Sequence, residues 1–281
     1  MKIVNIPFNY YQHFDMDFSL EVPAKGMGGW KRSEMPMDAD HTALVVMHSW
    51  EAGTREKYPG WHRAVEYIPR EQAIEANELP RAIKAARDAD MTVLHVAAGG
   101  EYLSRYPGTV LGESIAASFK PAQANDDVAA VGDEYTNSFG QFRSAYIFPG
   151  THNIPDVNRG FAALDFSKCA KPLDNEPIAT TSRQLAAICR SKNINHLIYI
   201  GFAINGCLLY SPGGMVDMAR LGYVCSTVRQ ATTAIENRET AETEQGKEMA
   251  LWLISIMYGA IYDLEDFEDM CGKLKKTDPR K

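Results

Sequence analysis

Basic charge, long apolar runs and paired cysteines are what this 281-residue sequence lacks, and each shortage excludes something. Its 29 lysines and arginines face 36 aspartates and glutamates, a formal charge of −7. No basic cluster is interleaved with aromatics, so nucleic acid is not an expected partner. No apolar run approaches the ~20 residues of a membrane span, and the start Met1-Lys-Ile-Val-Asn has no signal-peptide core, so no membrane partner is expected. The five cysteines (169, 189, 207, 225, 271) are odd in number, widely spaced and free of C-x-x-C pairs. That pattern suits a reduced cytoplasmic protein better than a disulfide scaffold. There is no internal repeat, no low-complexity segment and no metal-ligand set, so no metal or cofactor is expected.

What is present is a hydrophobic content of 45%, enough to bury one large α/β core or two smaller ones. The organising stretch is His196 to Cys207. Leu197 to Phe202 is an apolar run rich in β-branched and aromatic residues, which reads as a strand buried on both faces. Cys207 follows at a turn, and Leu208 onward reads as helix before Gly222. A thiol there lies at the carboxyl edge of a sheet, where open α/β folds hold ligands. It also lies near a helix N-terminus, whose partial positive charge favours thiolate.

In chain order, residues 1–40 read as an extended arm with a short hairpin, set against the domain or a neighbouring subunit. Thr42 to His48 is a strand, and 49–69 is a long loop from its carboxyl end. A helix is expected over 70–89, with Leu79, Ala82, Ile83 and Ala86 in one stripe and Pro80 in a first turn or at a kink. Met91 to Ala97 is the next strand. Residues 99–172 show one strand, Ser144 to Phe148, in an otherwise irregular stretch too long for an ordinary connection, which reads as an insertion forming a lid or subunit contact. Thr181 and Gln184 have capping-box spacing and open a helix bearing Leu185, Ile188 and Cys189. A strand over Tyr223 to Val228, a helix over 239–258 and a last edge strand over Ala260 to Leu264 follow, then a tail at 271–281. The alternation predicts a single three-layer α/β domain over 41–270, with a mostly parallel sheet and helices on both faces.

With these residues in view, the sequence resembles the isochorismatase-like cysteine hydrolases, a superfamily of nicotinamidases, carbamoylsarcosine and ureidoacrylate amidohydrolases and isochorismatases. The resemblance runs from about 42 to 265. It rests on Gly201-Phe-Ala-Ile-Asn-Gly-Cys207 after a strand, on Leu221-Gly-Tyr223 opening the next strand, and on the helix and strand from Ala82 to Val96. It implies a Rossmann-like strand order, a homodimer or homotetramer, and a small-molecule substrate cleaved at a carbon–nitrogen bond of an amide, ureido or carbamoyl group. The family works with an Asp ending its first strand, a Lys and the Cys, so the resemblance implies Cys207 as nucleophile. His48 stands where the family carries Asp, and imidazole is itself a common general base. The third position is Lys171 with a gap or Asp174 without one: a cation lowering the thiol's pKa, or a carboxylate orienting the ring. The resemblance also implies a cis peptide near Phe202–Ala203 and an oxyanion hole from the N–H groups of Ala203 and Cys207. Trp50, Glu51, Phe202 and Asn205 are candidate substrate contacts, with Trp61, His62 and Tyr67 as further wall residues and Glu176 a second loop carboxylate. His95 is a lesser pocket candidate and His196 is expected to be structural. Where nicotinamidases add an Asp-x-His metal group, this chain reads Ala97-Ala-Gly-Gly-Glu101, so zinc is not expected. The alternatives are a non-catalytic binding protein of the same fold and a vinyl-ether hydrolase that does not need the thiol.

Overall fold

The computed structural model describes residues 3–118 and 141–276. Its sheet grows outward from two strands with almost no access to water. Thr42–Met47 is buried throughout, and His196–Phe202 is buried everywhere but at His196, as expected for strands covered on both faces. Numbered along the chain, the strands are β1 (Ile3–Gln12), β2 (Gly29–Asp38), β3 (Thr42–Met47), β4 (Thr92–Val96), β5 (Ile178–Ala179), β6 (His196–Phe202), β7 (Val224–Thr233) and β8 (Ile261–Tyr262). They form one eight-stranded sheet in the order β2-β1-β8-β7-β6-β3-β4-β5. From β8 to β5 every pairing is parallel. The antiparallel hairpin β1–β2 joins β8 at Asn9↔Ile261 and makes the sheet mixed.

Alternation along each strand sends successive side chains to opposite faces, and two cores result. Leu44, Val46, Ile198 and Ile200 meet Leu79 and Ile83 of helix Glu78–Asp88 and Phe267 of helix Leu264–Lys276. On the other face Val45, Met47, Leu197 and Tyr199 meet Leu185 and Ile188 of helix Ser182–Ser191, together with Leu251 of helix Gln245–Met257. The capping box that opens Ser182–Ser191 is present, with Thr181 accepting from the Gln184 N–H. Each fully buried leucine in these cores contributes ~1.5–3 kcal/mol over an exposed one.

Several elements differ from expectation. The helix over 70–89 is two helices, Ile68–Ala76 and Glu78–Asp88, broken at Asn77. Pro80 has no N–H for the Ala76 carbonyl, so the chain restarts at 78 and leaves Pro80 in a first turn, where that N–H is not needed. The strand expected over Ser144 to Phe148 is a π-helical turn, Arg143–Ile147; among the described residues no strand pairs with it, and the Phe148 N–H bonds back to the Arg143 carbonyl at 2.8 Å. The stretch Ala260 to Leu264 is not an edge, because β1 pairs beyond β8. Residues 271–276 continue the helix Leu264–Lys276, with Cys271 and Leu274 buried. Within 99–172 lie helices Pro107–Ser118 and Ile154–Ala162; positions 119–140 of that stretch, 1–2 of the arm and 277–281 of the tail lie outside the described residues.

Candidate active site

The Cys207 turn is set by how closely β6 approaches β3. The two strands pair in parallel from Thr42↔His196 to Met47↔Gly201. At Gly201 the backbone takes φ +113°, and a Cβ there would lie 1.9 Å from the Met47 carbonyl oxygen, so only glycine fits. Thr232 Oγ1 donates to the Gly201 carbonyl at 2.7 Å, and the Phe202–Ala203 peptide is cis. The Gly206 and Leu208 N–H groups both bond to the Ala203 carbonyl at 3.1 Å. The N–H groups of Ala203 and Cys207 take no part in these turn hydrogen bonds. The helix opened by Cys207 is a single turn, Cys207–Tyr210, ending at Ser211; the dipole expected to favour thiolate is therefore that of one turn. Cys207 is half-buried. By contrast, burial pushes the thiols of Cys189, Cys225 and Cys271 up to about 12, which keeps those three protonated.

His48 follows β3 directly and so ends the strand beside β6. Its backbone is left-handed (φ +53°), and its N–H donates to the Val96 carbonyl at 3.2 Å. The ring is 7% exposed and stacks on Trp50 with centroids 4.7 Å apart. Burial lowers its pKa to about 4, so it is neutral at physiological pH, and its Nδ1 is buried without a hydrogen-bond partner.

Lys171 is exposed, with Nζ 3.8 Å from Asp165 Oδ2, and Asp174 is exposed. Among the described residues neither shares a hydrogen bond or ion pair with Cys207 or His48. Glu176 is turned inward: Arg87 donates to both its oxygens at 2.7 Å, His95 Nε2 lies at 2.9 Å, and the Leu173 N–H donates at 2.9 Å. Burial pushes its carboxyl up, but these bonds outweigh that and hold it at about 2. Glu176 and fully buried His95 thus serve each other. His196, at the amino end of β6, bonds to Ser226 Oγ at 2.8 Å.

The expected substrate contacts divide. Phe202 is 1% exposed and belongs to the core. The Asn205 amide is engaged twice with Ile235, donating to its carbonyl and accepting from its N–H, each at 2.8 Å; it fastens the turn. A cavity of about 340 Å³ opens beside it, lined in part by Ile235, Glu236 and Thr240. Glu51 is exposed, and its N–H donates to the Asp165 carbonyl. Trp50 is half-buried, edge-on to Phe161 at 6.2 Å, and Trp61 stacks on the same ring at 5.6 Å. His62 Nε2 lies 3.2 Å from the Gly53 carbonyl.

Two carboxyls escaped the sequence reading. Glu71 is 4% exposed and accepts the Trp50 backbone N–H; burial and then the neighbouring Glu75 charge push it well above the usual carboxylate range. Glu75 accepts from Ser49 Oγ at 2.6 Å, and Ser49 pairs with Ser167 at 2.7 Å; burial still raises it to about 7. Tyr67 completes the stripe, its hydroxyl pushed up by burial and then by Glu71, Cys207 and Glu66. The available signal was the spacing of four from Tyr67 to Glu71 to Glu75, which puts all three on one helix face.

No family model and no curated protein matches the sequence. The fold matches solved isochorismatase-like hydrolases at low identity. One is a cysteine hydrolase from Pseudomonas syringae pv. phaseolicola, at 14% identity and TM-score 0.49, covering 85% of this chain and 96% of that one. Another is an isochorismatase family protein from Burkholderia thailandensis, at 12% and 0.47, covering 83% and 96%. A third similar structure is the MAR1 ribonuclease of Caenorhabditis elegans, at 13% and 0.43, covering 86% and 93%.

Chemically, the ends of β3 and β6 carry a neutral imidazole and a half-buried thiol, and the helix Ile68–Ala76 sets two carboxyls of raised pKa against the loop at Ser49 and Trp50. Burial favours the uncharged form of each titratable group.

Proposed function

We propose that the chain is a hydrolase that cleaves a carbon–nitrogen bond of a small amide, ureido or carbamoyl compound through a thioester on Cys207. The observation that carries this reading is that the Cys207 turn and His48 follow the ends of adjacent parallel strands, with Gly201 allowing their close approach. In it the Cys207 thiolate attacks the carbonyl carbon while neutral His48 takes the thiol proton. The N–H groups of Ala203 and Cys207 receive the oxyanion. The carbon–nitrogen bond breaks as nitrogen takes a proton from an acid of the site, water adds to the thioester and gives a proton back to that acid, and the carbon–sulfur bond breaks as His48 returns its proton to sulfur. Trp50 forms one wall of the substrate site.

The test is a panel of primary amides, ureides and carbamates read by ammonia release, with thioester trapping by mass spectrometry. Cys207→Ala should abolish both signals. Undiminished turnover in that variant refutes the thiol mechanism and favours the thiol-independent vinyl-ether chemistry. A wild type inert across the panel, with Cys207 alkylated by iodoacetamide no faster than free cysteine, favours a binding protein.

A further inference from the structure

The departing nitrogen needs a proton, which either His48, having taken the thiol proton, or a second acid can give. We propose that Glu71 is the acid of this site: its carboxyl gives a proton to the departing nitrogen and recovers one from the attacking water, while His48 serves only the Cys207 sulfur. The inference rests on the Cys207 reading.

Three observations carry it. First, the helix that holds Glu71 is clamped onto the strand ends that form the Cys207 turn. Arg70 donates from Nε to Thr233 Oγ1 and from Nη2 to the Ala234 carbonyl, each at 3.1 Å. Thr233 pairs with Phe202, and its carbonyl accepts the Ile204 N–H at 2.8 Å. Second, Glu71 is buried against the loop that holds His48: its carboxyl takes the Trp50 N–H, and the Trp50 ring lies on the His48 ring. The neighbouring His48 Nδ1 is buried and unpartnered. Third, Tyr67, at the start of the same helix, lies within electrostatic reach of both Glu71 and Cys207.

Burial, and after it the Glu75 charge, keeps a proton on Glu71. The titratable groups facing Glu71 are Tyr67 and Glu75, and Glu75 in turn faces Glu51 and Cys169. Arg70 is committed to Glu66 and to the Ala234 carbonyl. Burial therefore leaves His48 as free imidazole and Glu71 as free acid, the two forms that base and acid need, and such divergent neighbours mark acid–base assignments. The steps balance. His48 takes the thiol proton and sulfur bonds to the carbonyl carbon. The carbon–nitrogen bond breaks as nitrogen receives the Glu71 proton. Water then adds to the thioester and gives its proton to the Glu71 carboxylate. The carbon–sulfur bond breaks, and the thiolate takes back the proton held by His48.

The test compares Glu71→Gln with wild type on two probes. The phenolate of p-nitrophenyl acetate leaves without a proton, whereas the amine of p-nitroacetanilide needs one. Glu71→Gln should lower amide turnover ~100-fold or more while ester acylation of Cys207 stays within about threefold. The alkaline fall of the wild-type amide profile should vanish with it. Amide and ester falling together, or neither falling, overturns the assignment. Difference infrared spectra at neutral pH need no substrate: one protonated-carboxyl band of the wild type should be lost in Glu71→Gln and kept in both Glu66→Gln and Glu75→Gln. A missing band also overturns it. Cys207→Ala separates the two readings. If it spares turnover, the thiol reading falls and the Glu71 role with it; if it abolishes turnover while Glu71→Gln does not, only the Glu71 role falls.

Discussion

Replacing Glu176 by Gln tests how firmly the β4–β5 edge is held by charge. Glu176 accepts two hydrogen bonds from Arg87, one from His95 and one from the Leu173 N–H, and its side chain is 7% exposed. At ~1.4 kcal/mol per pH unit, the drop from an ordinary 4.5 to about 2 corresponds to ~3 kcal/mol. The variant should therefore lose ~3 kcal/mol at neutral pH, a fall in melting temperature of about 6–12 °C for a chain of this size. The sign follows from linkage. A depressed carboxylate contributes fully above its unfolded pKa and loses that contribution as pH falls through the folded one. The gap between wild type and Glu176→Gln should be widest above pH ~4.5 and roughly halved by pH ~3. Thermal melts across that range measure it. A gap that is constant with pH, or smaller than ~0.5 kcal/mol at neutral pH, would refute the charge argument, since an ordinary surface substitution stays within that size.

Other substitutions probe the strand ends. Gly201→Ala puts a methyl against the Met47 carbonyl in a left-handed backbone. It should cost at least ~1–3 kcal/mol from strain alone and slow iodoacetamide alkylation of Cys207; an unchanged melt and an unchanged rate would contradict the close-approach argument. Asn205→Ala removes both bonds to Ile235 and should lower stability by ~1–2 kcal/mol, read by thermal melting. A neutral melt would mean that the clamp holds nothing.

Much of the fold was legible because its central strands leave no choice. Leu197 to Phe202 and Thr42 to Met47 are apolar at nearly every position, which only a strand covered on both faces tolerates. The Thr181–Gln184 cap is written in adjacent residues and forms as read. Other elements depend on partners the local sequence does not show. β5 is two residues long and exists because Gly112 lets helix Pro107–Ser118 approach until a Cβ would stand 2.1 Å from the Ile178 carbonyl. β8 becomes interior only because a hairpin more than two hundred residues upstream in the chain reaches it. At the site, Cys207 and His48 were legible as strand-end residues, while Lys171 rested on a count across a gap and lies exposed beside Asp165. Glu71 and Glu75 were missed because a charged pair on a helix ordinarily faces water; here the loop over Ser49 and Trp50 covers them.

The main chain at position 48 limits what chemistry this corner can host. A left-handed φ is tolerated by Asp, Asn and His far better than by β-branched or bulky side chains. Protein engineers hoping to install a new proton carrier at the end of β3 thus choose from a very short alphabet, in which Val, Ile and Thr have no place, whatever reaction is wanted.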